Sequence, residues 1–267
     1  LYRSNISASN DWYAATRLTT NKVLRTNSTA AEVNGGTGFV MDFSDGWYGN
    51  SSANSSSYSW MWRRAPNYFD VVAYKGNGLD TGHNISHNLG AVPEMIWVKN
   101  RETASQDWYV YHKNIGNTHY LRLNATSASV DSADAWNDTT PTDSVFTVGG
   151  AGDVNWNNAN HIAYLFASLD GVSKVGSFSH TNNTTTSVDC GFSNGARFVM
   201  IKLSDGADSW YVWDTTRGIN AGTEPLLRLN TNGAEITTND WIDPLSSGFQ
   251  ITGSDLLTGT YIFYAIA

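Results

Sequence analysis

The sequence predicts an all-β protein of tandem antiparallel β-sandwich repeats with very little helix. Three observations carry that prediction. A strand-like segment occurs three times, as DWYAATRL from Asp11, DWYVYHKN from Asp107 and SWYVWDTT from Ser209. Each is followed by a second recurring segment, LRTNSTAAEV from Leu24, LRLNATSASV from Leu121 and LRLNTNGAEI from Leu227, and paired recurrence in one order marks an internal repeat. Short apolar runs between Gly, Asn, Ser and Asp turns fill the remainder at about seven per hundred residues, the density of a two-sheet sandwich.

Aligning Trp12 with Trp108 sets LYRSNISASNDWY over WVKNRETASQDWY without a gap, so Leu1 is expected inside the counterpart of a unit's third strand. The first unit, residues 1–67, then holds only the closing part of a sandwich. It has the Trp strand, VLRTN from Val23, GFVMDF from Gly38 and SYSWMWRRA from Ser57. Half a sandwich leaves its core uncovered, so this partial unit is expected to pack on the second or to borrow strands from another chain.

The second unit spans 68–169 and the third 170–267, and their strands correspond one by one. DVVAYKG from Asp70 answers VSKVGSFS from Val172, and ISHNLG from Ile85 answers VDCGFS from Val188. PEMIWVKN from Pro93 answers ARFVMIKL from Ala196. The Trp and Leu-Arg strands follow, then VFTVGG from Val145 and GFQITG from Gly248. Each unit ends on an apolar strand, HIAYLFASL from His161 or TYIFYAIA from Thr260. Helix is expected only as one short turn in ASVDSADAWN (128–137) and one in GAEITTNDWI (233–242), where Asp and Asn can cap.

Charged residues are only 15% of the chain and hydrophobic ones 40%, so the surface is largely uncharged polar. The net charge of −8 is unevenly spread. Lys and Arg against Asp and Glu number 6 to 4 in residues 1–67, 5 to 10 in 68–169 and 5 to 10 in 170–267. A nucleic-acid surface must be basic, so the last two units are poor candidates for one and no nucleic-acid partner is expected. Arg63-Arg64, the only basic doublet, reads as a solvated strand end. Cys190, the single cysteine, excludes an intrachain disulfide and reads as a small strand residue. No apolar run has membrane-spanning length, so membrane insertion is not expected.

Catalysis needs an acid, base, nucleophile or metal cluster, and no such set recurs, so no catalytic residue and no metal site is assigned. His83 and His87 are four apart, which is metal spacing on a helix; in an extended segment they are neighbours on one face. Asp131/Asp134 and Asp205/Asp208 offer oxygen ligands for Ca²⁺ in a loop, but turns use the same residues for backbone hydrogen bonds. No cofactor is expected, with Ca²⁺ in one loop as the alternative left open.

Aromatic residues are the more informative class. Trp12, Trp108 and Trp210 recur in place, which points to structural packing. Trp156 has no counterpart and sits in DVNWNNAN among Asp153, Asn155 and Asn157. A flat ring covers the apolar face of a pyranose while amides and carboxylates take its hydroxyls, so these four form the candidate ligand-binding set. Packing of a long turn is the competing account of Trp156.

The segments RRAPNYFDVVAYKGNG, ISHNLGAVPEMIWVKNR, DWYVYHKN, RFVMIK, WYVWDTTRG and YIFYAIA resemble a repeat family found in structural proteins of tailed bacteriophages, especially marine and cyanobacterial ones. The resemblance covers essentially the whole chain and brings no catalytic residues with it. It implies a non-enzymatic virion protein, a tail fibre or receptor-binding appendage contacting host glycans or another receptor. Its partners would be other virion proteins and copies of itself, with a trimer preferred, at the tail or capsid surface and extracellular when mature. A head fibre or tail decoration of purely structural role is the alternative, and a polysaccharide depolymerase stands behind both.

Overall fold

The computed structural model describes residues 1–35, 39–41, 46–49, 56–252 and 255–267. Its described part is all-β, with antiparallel strand pairs throughout and two four-residue helical turns, about 3% of the chain. The chain begins with β1 (Tyr2–Arg3), β2 (Tyr13–Ala14), β3 (Lys22–Arg25) and β4 (Val33–Asn34). Next come β5 (Phe39–Val40) and β6 (Tyr48–Gly49), which pair with each other, and β7 (Tyr58–Ser59). The first large sheet has the order β4-β3-β2-β1-β7. Of the strand expected at GFVMDF, Gly38, Asp42 and Phe43 lie outside the described residues.

The second stretch contains β8 (Phe69–Lys75), β9 (His83–Ser86), β10 (Met95–Asn100), β11 (Tyr109–His112), β12 (His119–Arg122) and β13 (Val130–Asp131). It continues with α1 (Ala133–Trp136), β14 (Val145–Val148), α2 (Gly152–Asn155) and β15 (Asn160–Phe166). The second large sheet is β13-β12-β11-β10-β15-β8, with β14-β9 as a small sheet beside it. The third stretch holds β16 (Ser173–His180), β17 (Thr186–Asp189), β18 (Phe198–Leu203), β19 (Trp210–Asp214) and β20 (Leu227–Arg228). It closes with β21 (Ile242–Leu245), β22 (Gly248–Ile251) and β23 (Gly259–Ile266). Its large sheet is β16-β23-β18-β19-β20 and its small one β17-β22-β21.

The near-continuous apolar runs of the sequence follow from this layering. In β10, Met95 and Trp97 enter a central core, while Ile96 and Val98 enter a second core against β9 and β14. Likewise Met200 of β18 and Val212 of β19 face the central core, and Val199, Ile201, Tyr211 and Trp213 face the core shared with β17 and β22. A strand covered on both faces has no polar face to alternate with. The helical turn expected near residues 128–137 is α1; its counterpart at 233–242 does not form. There Leu226 and Ile236 make a β-bridge, Glu235 N–H donates to Ile6 C=O, and Ile242 starts β21, so extended pairing takes the backbone groups a helix would use.

The three large sheets meet at the central core through a cyclic set of contacts. Trp108 Nε1 donates to Arg25 C=O at 2.8 Å, Trp210 Nε1 to Arg122 C=O at 2.9 Å, and Trp12 Nε1 to Arg228 C=O at 2.9 Å. Each of these Trp N–H groups on the main chain donates in turn to an Asn side chain of its own sheet, Asn124, Asn230 or Asn27. A buried cation follows the same circuit. Lys99 Nζ donates to Thr29 C=O, Lys202 Nζ to Thr126 C=O and Arg3 Nη2 to Asn232 C=O, at 3.2, 3.2 and 3.0 Å. Second touches first, third touches second, and first touches third. The first sheet therefore packs on both others. Among the described residues no helix is long and apolar enough to cross a membrane.

Candidate binding cleft

The residues nominated from sequence lie in the turn around α2, and the structure separates their roles. Trp156 is 47% exposed and Asn157 is exposed beside it. Asn155 is fully buried: its Nδ2 donates to Asn77 Oδ1 and Leu79 C=O, and its Oδ1 accepts from Asn77 N–H and sits 3.3 Å from His83 Nδ1. Asp153 accepts from Asp107 N–H, and burial raises its carboxyl above the usual range. Two of the four thus tie loops together, and two face solvent. Gly76 is required here, since a Cβ on it would lie 2.3 Å from Trp156 C=O. Gly152 leaves room for the Trp156 ring in the same way, its missing Cβ lying 2.5 Å from Cε3.

The chemically capable groups of the interior are bound to backbone. His161 accepts from Trp156 N–H at Nε2, which leaves Nδ1–H to donate to Ala159 C=O at 3.1 Å, and burial lowers its pKa to about 4. His112 lies 3.5 Å from Phe263 C=O through Nε2 and accepts from Asn114 N–H at Nδ1, and burial lowers it to about 3. Lys99 and Lys202 are lowered to about 8 by burial, against nearby carboxylates that raise them. Glu224 Oε1 accepts from Trp241 and Ile242 N–H, while burial pushes the carboxyl up to about 7. His87 is held by Thr142 C=O and Leu89 N–H, and His83 by Asn155, so these two rings serve separate loops. Among the described residues no three His, Cys, Asp or Glu side chains gather as metal ligands would.

A larger feature lies beside β7. A cleft of about 620 Å³ opens between the first and second large sheets, floored by Trp97, Tyr164 and Phe166 and walled by Tyr2, Tyr13, Trp47, Trp60 and Trp62. Arg17, Arg63 and Arg64 stand at it. The aromatics are fixed by their own contacts. Trp60 Nε1 donates to Asp214 Oδ2 at 3.0 Å with Arg217 over its ring, and Trp62 meets Phe198 edge-on at 5.6 Å. Arg64 Nε donates to Asp70 at 2.6 Å and Arg17 Nε to Met41 C=O at 3.1 Å. Two buried groups of the floor, Trp97 Nε1–H and Tyr164 Oη–H, have no hydrogen-bond partner among the described residues.

Sequence reading passed over this cleft because Trp60 and Trp62 look like ordinary members of an apolar strand and Arg63-Arg64 like a solvated end. The available signal was size. Pairing to β1 and β10 places Tyr58, Trp60 and Trp62 at the positions of Ile162, Tyr164 and Phe166, larger rings at two of three places.

No curated protein and no solved structure matches the chain. One family model does, over residues 3–267, nearly the full sequence. The chain belongs to that family, described as a domain of unknown function (DUF7483).

Proposed function

We propose that this chain is a non-enzymatic virion protein of a tailed bacteriophage, a tail fibre or receptor-binding appendage that contacts the host surface, with glycans as the ligand class. Residues 1–67, 68–169 and 170–267 are then one partial and two complete seven-strand sandwich units in tandem, and the three Trp-to-carbonyl bonds are the joints between them. One observation carries the reading: His112, His161, Lys99, Lys202 and Glu224 hold main-chain groups, while an uncharged turn presents Trp156 and Asn157 to solvent. An indole face with a neighbouring amide suits a pyranose ring. The partners are other virion proteins, host glycan or receptor, and further copies of the chain, with a trimer preferred and no nucleic acid or membrane insertion.

A glycan array probed with the labelled chain tests this. Binding to one glycan class that Trp156→Ala abolishes is the expected result; no binding, or binding the variant retains, overturns the loop assignment. A structural head fibre or tail decoration is the second reading, favoured by the internal use of Asn155 and Asp153. Immunogold labelling of intact particles separates the two, because host contact requires a distal position. Release of reducing ends from host polysaccharide would instead support a depolymerase.

A further inference from the structure

We propose that Asn232, followed by Gly233, is a self-modification site at which the buried guanidinium of Arg3 promotes ring closure and hydrolysis to isoaspartate. Four Asn-Gly pairs occur in the chain, at Asn34, Asn77, Asn194 and Asn232. In such a pair the glycine nitrogen can reach the preceding side-chain amide, because no Cβ stands in the way. The structure separates the four. At three of them the attacking nitrogen is tied down: Gly35 N–H donates to Asn21 C=O at 2.8 Å, Gly78 N–H to Asn155 C=O at 3.0 Å and Gly195 N–H to Ser246 C=O at 2.7 Å. Gly233 N–H has only Thr231 Oγ1 at 3.4 Å. Asn232 is exposed in irregular backbone, its side-chain amide without a hydrogen-bond partner among the described residues.

The second observation is the cation on that peptide. Arg3 is fully buried, and its Nη2 donates to the carbonyl oxygens of both Asn232, at 3.0 Å, and Gly233. Its Nε and Nη1 have no hydrogen-bond partner among the described residues. The carboxylates that act on it, Glu235 and Asp11, are bridged at 3.0 Å to Arg217 and Arg25 instead. When the Gly233 nitrogen loses its proton, the negative charge spreads onto the Asn232 carbonyl oxygen, to which the guanidinium and Asn10 N–H, at 2.9 Å, already donate. Donors fixed where charge develops lower the barrier without having to reorganise. The other two joints lack this combination. Lys99 and Lys202 hold the carbonyls of Thr29 and Thr126, which are followed by Ala30 and Ser127, so neither acceptor residue carries a side-chain amide.

The reaction needs only water. Hydroxide takes the Gly233 proton, the nitrogen attacks Cγ of Asn232, and the new C–N bond closes a cyclic imide. The side-chain nitrogen leaves as ammonia with a proton from water, which returns the hydroxide. A second water opens the imide at the former main-chain carbonyl, the one Arg3 polarises, its hydroxyl going to that carbon and its proton to the ring nitrogen. The main chain now runs through Cγ, and the neutral carbonyl has become the free α-carboxylate of isoaspartate beside the guanidinium. A buried cation short of partners gains a counter-ion, and charge-assisted bonds of this kind are about twice as strong as neutral ones. The modification therefore tightens the contact between the first and third stretches. It stands apart from the virion reading and needs no host contact.

The intact chain, native and in urea, is held at mildly alkaline pH and digested at intervals. The four Asn-Gly peptides are followed by mass spectrometry, with electron-transfer fragmentation separating isoaspartate from aspartate. In urea all four should convert at similar rates. In the native chain Asn34, Asn77 and Asn194 should slow by about tenfold or more, since their turns must open first, while Asn232 keeps or exceeds its rate in urea. The isoaspartate share at Asn232 should be larger in the native chain than in urea. Arg3→Gln should cut the native rate at Asn232 by about tenfold or more and leave the other three unchanged. Protection of Asn232 equal to that of the other three overturns the proposal, whether or not the Arg3 variant folds. A smaller isoaspartate share in the native chain, or an unchanged rate in a folded Arg3→Gln variant, overturns it as well.

Discussion

Trp108 reaches from the second large sheet into the first, its indole N–H 2.8 Å from the carbonyl oxygen of Arg25, 83 residues earlier in the chain. The contact is fully buried at the Trp108 end, and the same bond joins Trp210 to Arg122 and Trp12 to Arg228. Trp108→Phe keeps most of the ring but leaves the Arg25 carbonyl without its donor. A loss of about 1–3 kcal/mol in urea unfolding is expected, and a loss near zero would mean that the bond contributes nothing net.

Acidification should weaken the fold through His112 and His161. Burial holds both below 6.5 in the folded state, at about 3 and about 4, so between those values and 6.5 the unfolded chain binds the extra proton. Stability is then lost as pH falls, by about 1.4 kcal/mol per unit for each ring. Glu224 acts the other way. Its folded pKa of about 7 lies above the unfolded value, so it adds stability as pH falls from 7 towards 4.5. Two rings against one carboxyl leave a net loss, and denaturant unfolding at pH 6.5 and 5 should show it. His112→Gln should make that slope shallower.

At alkaline pH the buried lysines act with the same sign as the histidines. Lys99 and Lys202 titrate at about 8 in the folded chain and near 10.5 when unfolded, so the unfolded state holds more protons in that window and stability rises with pH from 8 to about 10. Above that, tyrosines held protonated by burial, Tyr164 and Tyr211 among them, oppose the trend. Lys99→Met should flatten the rise between pH 8 and 10 in thermal unfolding.

Burial pushes the Cys190 thiol up to about 12, so the thiolate that reacts with disulfide reagents is scarce at pH 8. The native chain should react with such a reagent far more slowly than the urea-unfolded chain. Equal rates would place Cys190 at an open surface.

Much of this architecture was legible because it is written in recurring residues. Trp12, Trp108 and Trp210, with Asn27, Asn124 and Asn230 behind them, mark the same local geometry three times. What each indole bonds to was not legible, since the acceptors are main-chain carbonyls on other sheets and any residue can supply one. The turn at Trp156 was only partly legible, for a different reason. Asn155 and Asn157 look equivalent on paper, but α2 turns one inward onto Asn77 and leaves the other outside. The helical turn missing at 233–242 shows long-range pairing outweighing local capping chemistry, with Glu235 claimed by Ile6 at 2.8 Å. The cleft has no motif because its lining residues, from Leu1 to Phe166, are gathered from strands far apart along the chain.

The bond from Trp12 to Arg228 spans 216 positions, and Arg3 reaches Asn232 across 229. During synthesis Arg3 and Trp12 must wait for residues more than two hundred positions later before these central-core neighbours exist. Such long-range closure slows folding and leaves apolar segments such as residues 58–62 open to wrong partners in the interval. Refolding yield should therefore depend on protein concentration more steeply than equilibrium stability does, and a circular permutant that joins Ala267 to Leu1 and opens an exposed turn elsewhere should shorten the wait.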